Sequence, residues 1–264
     1  MCTIYKHEMK LYRKSLLIWI LCVGGMGFAC ILLFSSMQNN DMEEMAKSFA
    51  SMGGFSDAFG MSQLSIATLK GFYAAEVGTI HALGGSMFAA IIATGILPKE
   101  EEGHTSEFLF SLPVSRAKII TSKWCAVITE ILIFNIFCVG IYALGFLILG
   151  EEMSVKKFLL YHVMQIVMQI EIAGICFGIS ACMKKNKLGI GLGVVLLLYA
   201  YDMIARVVPD LAKYKILSPF SYANAADILS KGEIVLSASV IGVFVLVIGV
   251  CISYVVYGKR DLAA

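Results

Sequence analysis

The sequence predicts an all-α integral membrane protein. It has six transmembrane helices, an N-terminal interfacial helix, a charged loop on the inner side, and a re-entrant or interfacial outer segment before the last span. Three observations carry this reading. Of 264 residues, 59% are hydrophobic and only 15% charged, too apolar for an ordinary soluble domain. The apolarity is gathered into six runs, at 15–34, 77–97, 126–149, 158–183, 188–208 and 234–257, each near the roughly 20 residues that a helix needs to cross a bilayer. Basic residues also favour one side. With the N-terminus inside, the inner segments hold 13 lysines and arginines against 8 in the outer segments, which are longer in total. Both termini are therefore expected inside. The first run has full span length and no small-residue cleavage site, so it is expected to stay as a span.

Residues 1–14 are patterned. Tyr5, Met9, Tyr12 and Leu16 recur at helical spacing beside Lys6, Lys10 and Arg13. The pattern reads as an amphipathic helix on the inner membrane surface, its cations near anionic headgroups; a plain positive flank is the blander alternative. His7-Glu8 opens like a zinc-protease motif, but Leu11 stands where the second histidine belongs. In the outer segment 35–76, Met42, Met45, Phe49 and Met52 share one helical face. With only His81 nearby and no Met-x-Met pattern, this face reads as a short amphipathic helix rather than a copper site. Six of the eight cysteines, at 22, 30, 138, 176, 182 and 251, fall within or at the ends of spans, and no C-x-x-C pair occurs. They read as free thiols serving as small apolar side chains, and no metal site is expected.

The 98–124 stretch is the one long charged segment between spans on the inner side. Three carboxylates, Glu100, Glu101 and Glu102, are followed by Glu107 and by apolar Phe108, Leu109, Phe110 and Leu112. The chain then breaks at Pro113 and restarts at Ser115 before Arg116 and Lys118. Proline fixes its own φ and disfavours helix in the residue before it, so 112–113 is a corner. Ser115 is placed to cap the helix that follows. An apolar centre with glutamates on one rim and Arg116 and Lys118 on the other is how protein contacts are usually built. The plainer alternative lays the same apolar side chains in the inner leaflet.

The later spans carry the polar residues. Glu130 stands near the inner surface with Asn135 deeper. On the fourth span His162, Gln165 and Gln169 lie within about 60° of one another on an ideal helix. Glu171 points to the other side, near Gly174 and Gly178. One face is thus expected wet or hydrogen-bonded, and the other admits a neighbouring backbone around a carboxylate. Ionisable residues in a membrane are functional candidates, though a structural hydrogen bond remains an equal alternative. Gly189, Gly191 and Gly193 predict a further close-packing face, and Asp202 and Arg206 a pair one turn apart. Within the outer segment 209–233, residues 217–229 are too short to cross and begin at a Ser-Pro break.

The sequence holds no G-x-x-x-x-G-K-[ST] loop for nucleotide phosphates and no assembled nucleophile–base set. The run EEEGHTSEFLFSLPVSR resembles the loop between the second and third spans of ABC-2 type permeases, the membrane subunits of one class of ATP-driven transporter. The opening KHEMKLYRKSLLIW, the outer DAFGMSQLSIATLKGF and the later LSPFSY are similar to other parts of that family, in the same order. The resemblance implies a single permease domain over 1–264, with 98–124 as a coupling loop in which Glu100, Glu101, Glu102, Glu107, Phe108, Phe110, Pro113, Arg116 and Lys118 meet an ABC ATPase subunit. It implies no cofactor on this chain, with ATP and Mg in the ATPase, and a dimer with itself or a related permease. It further implies a surround of lipid in a prokaryotic cytoplasmic membrane, no nucleic acid, and export of substrate. Two readings from other classes stay open. An ion-coupled secondary transporter could use His162, Glu171 and Asp202 but should show inverted repeats, which the unequal loop lengths do not suggest. A non-transporting sensor or anchor subunit is the other. Nothing in the residues selects a substrate.

Overall fold

The computed structural model describes residues 2–37, 40–111, 113–150, 153–234 and 236–260, apart from the side chains of Asn40, Asp41, Phe55, Phe108 and Phe110. Among the described residues six helices are long and apolar enough to cross a membrane: Cys2–Met37, Leu69–Gly95, Arg116–Leu149, Val155–Ala181, Leu188–Val207 and Leu236–Lys259. They are called the first to sixth spans below.

The first two depart from their expected edges. The 1–14 segment is not set off from the first span, because nothing between Lys14 and Trp19 breaks a helix. The whole element is helical over 36 residues, with one π turn at Ile20–Gly24. At 1.5 Å per residue it is about 54 Å long, against about 30 Å of hydrocarbon, so its first turns project beyond the apolar layer. Its stripe is spent on the protein: Ile4, Glu8 and Leu16 are buried, and the Tyr5 hydroxyl donates to Thr129 at 3.1 Å. The second span starts at Leu69 rather than at 77. Thr68 caps it, accepting from the Gly71 amide at 3.1 Å. Gly71 lies against the Ser65 backbone so closely that no side chain fits. A π turn at Tyr73–Val77 then leads into the regular helix Gly78–Gly95.

The fourth span is the centre of the bundle and packs on both the second and the sixth. Small residues make this possible. A side chain on Gly178 would sit 2.8 Å from the Gly249 carbonyl of the sixth span, and Gly249 in turn lies against Gly174. The expected glycine face of the fifth span is only partly used. Gly191 packs on Thr94 and Ala90 of the second span, whereas Gly189 and Gly193 face open space because they lie on other sides of the helix.

The 209–233 segment folds back onto the bundle as a 3-10 turn, Pro209–Leu217, and two short helices, Pro219–Tyr222 and Ala225–Lys231. Phe220, Tyr222, Ala225, Ala226, Ile228 and Leu229 are buried. Its broken backbone is served by side chains, as buried backbone must be. Gln165 donates to the Ala223 carbonyl at 2.7 Å, and Lys157 to the Ser230 carbonyl at 2.5 Å. The Asp202–Arg206 pair forms at 2.7 Å and is extended by Asp227, 3.1 Å from Arg206 and 3.3 Å from Lys215. Burial pushes the Asp227 carboxyl up, but Lys215, Gln63 and Arg206 outweigh it and hold it below its ordinary range.

Candidate functional site: the charged loop and the polar core

The loop between the second and third spans starts as one helical turn, Lys99–Glu102. It reverses at Gly103–Thr105, where His104 takes φ 53°, and continues as Ser106–Ser111. After Pro113 the third span starts at Arg116, preceded by an extended Ser115 whose hydroxyl makes no capping bond. The three consecutive glutamates reach three different parts of the chain. Glu100 accepts from Lys123 at 2.8 Å and from Thr105 at 2.6 Å. Glu101 accepts from Arg260, just past the sixth span, at 2.9 Å. Glu102 accepts from the Asn186 backbone amide, in the turn between the fourth and fifth spans, at 3.0 Å. Arg260 also donates to the carbonyls of Ala181 and Met183 at 3.0 and 2.8 Å, and Arg116 to those of Gly258 and Arg260 at 3.3 and 2.6 Å.

Lys123 is the hub of this end of the molecule. Its ammonium is wholly buried and donates to Glu8 at 2.8 Å, Glu100 at 2.8 Å and the Ile96 carbonyl at 2.9 Å. Three donors thus meet three acceptors, which satisfies the group. The other Glu8 oxygen pairs with Lys99. Two cations and two carboxylates make a neutral cluster joining the first span, the loop and the third span. Burial raises the Glu100 carboxyl, but the Lys123 charge, the bonds from Lys123 and Thr105, and the Lys99 charge together hold it below its ordinary range.

A second polar group lies inside the bundle. The His81 Nε2 donates to Asn135 at 3.0 Å, and Asn135 donates to Gln169 at 2.6 Å. Tyr142 lies 3.3 Å from the His81 Nδ1, and the Tyr73 hydroxyl 2.8 Å from the His162 Nε2. Tyr222 donates to Glu171 at 2.5 Å, and the Glu171 carboxylate lies against Gly242 of the sixth span. Glu130 is buried with neither oxygen partnered among the described residues. No group of three His, Cys, Asp or Glu side chains placed to hold a metal occurs among the described residues.

One profile, described as ABC-2 family transporter protein, matches residues 2–262. The chain belongs to the ABC-2 transporter family. It is thus similar throughout to membrane subunits of ABC transporters. It is also 25% identical over 201 residues to the uncharacterized protein YhcI of Bacillus subtilis (strain 168), an alignment that takes in 67% of this chain and 64% of that protein.

In this member of the ABC-2 transporter family the loop residues expected to form a contact differ in their surroundings. Glu107, Pro113 and Lys118 are exposed. Glu102 is exposed too, but it, Glu100, Glu101 and Arg116 are tied to this chain itself: the acids accept from Lys123, Arg260 and the Asn186 amide, and Arg116 donates to the Arg260 carbonyl. The side chains of Phe108 and Phe110, and all of Leu112, lie outside the described residues. On the fourth span, His162, Gln165 and Gln169 face hydrogen-bonding partners of the second and third spans and the folded-back segment, while Glu171 turns to the sixth. Sequence reasoning missed Glu8, Lys99, Lys123 and Arg260 as members of the loop's network. The available signal was a charge at each edge of an apolar run, which reads equally well as a flank.

Proposed function

We propose that this chain is the permease subunit of an ABC exporter in a prokaryotic cytoplasmic membrane, with both termini and the 98–124 loop inside. A separate ABC ATPase drives it, and it works as a dimer with itself or a related permease. ATP and Mg act in the ATPase. The whole-length family match carries the reading, and the absence of any nucleotide-phosphate loop from the sequence agrees with a partner supplying the energy. The loop's ties supply the mechanics. A push on the loop reaches the first span through Glu8 and Lys123, the sixth through Arg260, and the turn between the fourth and fifth through Glu102. Helices bound this way tilt together rather than one at a time, which is what a load applied at one end of a bundle requires. Purifying the tagged permease from its own cells in mild detergent tests the reading. An ABC ATPase should co-purify in near-equal amount, with ATP hydrolysis in the eluate. Recovery of the folded permease without any such ATPase would contradict it.

A further inference from the structure

The outer-loop end of the molecule holds a cleft that the permease reading does not use. The helix Asn40–Ala50 lies alongside the start of the second span, and between them is a cavity of about 330 Å³. That size falls in the range of small-molecule sites. Its wall is rich in thioethers, from Met37, Met42, Met45 and Met61, with Phe49 beside them. Glu76 is the single ionisable residue on the lining among the described residues.

The position of Glu76 follows from the π turn at Tyr73–Val77. Tyr73, Ala74, Ala75 and Val77 are buried, and Glu76 alone of the five is turned out. Such turns recur at functional positions in helices. All 21 lysines and arginines of the chain lie among the described residues, and none of them forms an ion pair with Glu76. A carboxylate without a cation, set in an apolar wall, favours a ligand that brings the positive charge and covers the wall with its own apolar body. Methionine side chains are flexible and polarizable and adapt to varied shapes, and aromatic faces attract cations. A neutral ligand would leave the carboxylate unmatched, and an anion would be repelled.

We propose that this cleft binds a lipophilic monocation, an ammonium or phosphonium carried on an apolar body, with Glu76 as its counter-ion. The site is independent of the ATPase reading, because its binding is measured on the permease alone. The probe is tetraphenylphosphonium, with tetraphenylborate as an anion of the same shape, and the full chain is held in lipid nanodiscs for equilibrium dialysis. The wild type should bind tetraphenylphosphonium saturably at one site per chain and show no saturable site for tetraphenylborate. Glu76→Gln should weaken tetraphenylphosphonium binding about tenfold or more, while Glu76→Asp retains most of it. Glu76 is exposed, so neither change should disturb folding, which an unaltered thermal midpoint would verify. Non-saturable binding, equal saturable binding of both ions, or a Glu76→Gln variant that binds like the wild type would each overturn the proposal.

Discussion

Replacing Lys123 by methionine keeps the length of the side chain and removes its charge. In the folded protein that ammonium is wholly buried and serves two carboxylates, Glu8, itself 1% exposed, and Glu100. Without it, among the described residues, Glu8 keeps Lys99, and Glu100 keeps the bond from Thr105 and the more distant Lys99 charge. Removing one partner of a buried ion pair costs about 3–5 kcal/mol, because the remaining charge stays buried without compensation. Lys123→Met should therefore lower stability by that amount in reversible SDS-driven unfolding of the purified chain. Removing Glu8 at the same time tests the cause. The Glu8→Met, Lys123→Met double variant leaves Lys99 and Glu100, one charge of each sign, so the cluster is neutral again. Its loss should be smaller than the sum of the two single losses by about 1–3 kcal/mol. A Lys123→Met variant within about 0.5 kcal/mol of wild type, or strictly additive losses, would refute the cluster as a coupled unit.

Three further outcomes follow from the same contacts. Glu171→Gln keeps an acceptor for the Tyr222 hydroxyl and should fold in near-normal yield, whereas Glu171→Leu strands that buried hydroxyl and should reduce the yield of assembled protein; equal yields would argue against a structural role. Gly249→Ala places a methyl against the Gly174 carbonyl and must push the fourth and sixth spans apart, so it should cost about 1–3 kcal/mol in the same unfolding assay, and a neutral result would mean that the two helices are not in close contact. Glu100 and Asp227 are both held below the ordinary carboxylate range, so the stability they confer is fully present above about pH 4.5 and is lost as pH falls through their depressed values. Asp227→Asn should accordingly lower stability at neutral pH and flatten the decline on the acid side; an unchanged acid limb would place the sensitivity elsewhere.

The spans were legible because a bilayer demands long apolar runs, and a run such as 126–149 has no other use. Their edges were less so. Lys70 and Glu76 look like interface residues, yet the second span takes both in because Thr68 caps its start and Gly71 lets the chain lie on Ser65. The polar face of the fourth span was visible in the helical spacing of His162, Gln165 and Gln169, but its partners were not, since periodicity gives a direction and not a neighbour. The same limit hid the cluster at Lys123. Glu8 lies 115 residues away in sequence, and a lysine at the foot of a span reads as a positive flank until its burial is seen. The fifth-span glycines show the converse error: three glycines at alternate positions cannot all face one neighbour, and only Gly191 does.

The most direct test of the loop as the point where an ATPase drives this permease is a Phe108→Ala, Phe110→Ala double change, which trims both phenylalanines of the segment. Neither residue lies in a membrane span, so the permease should still insert and fold, as its thermal midpoint would verify. If both side chains are hot spots of the contact, binding of the ATPase should weaken by about 2–4 kcal/mol, roughly 30- to 1000-fold in Kd, with transport falling in parallel. A folded double variant that holds its ATPase at wild-type affinity would contradict the coupling role and leave the loop as a membrane-surface element.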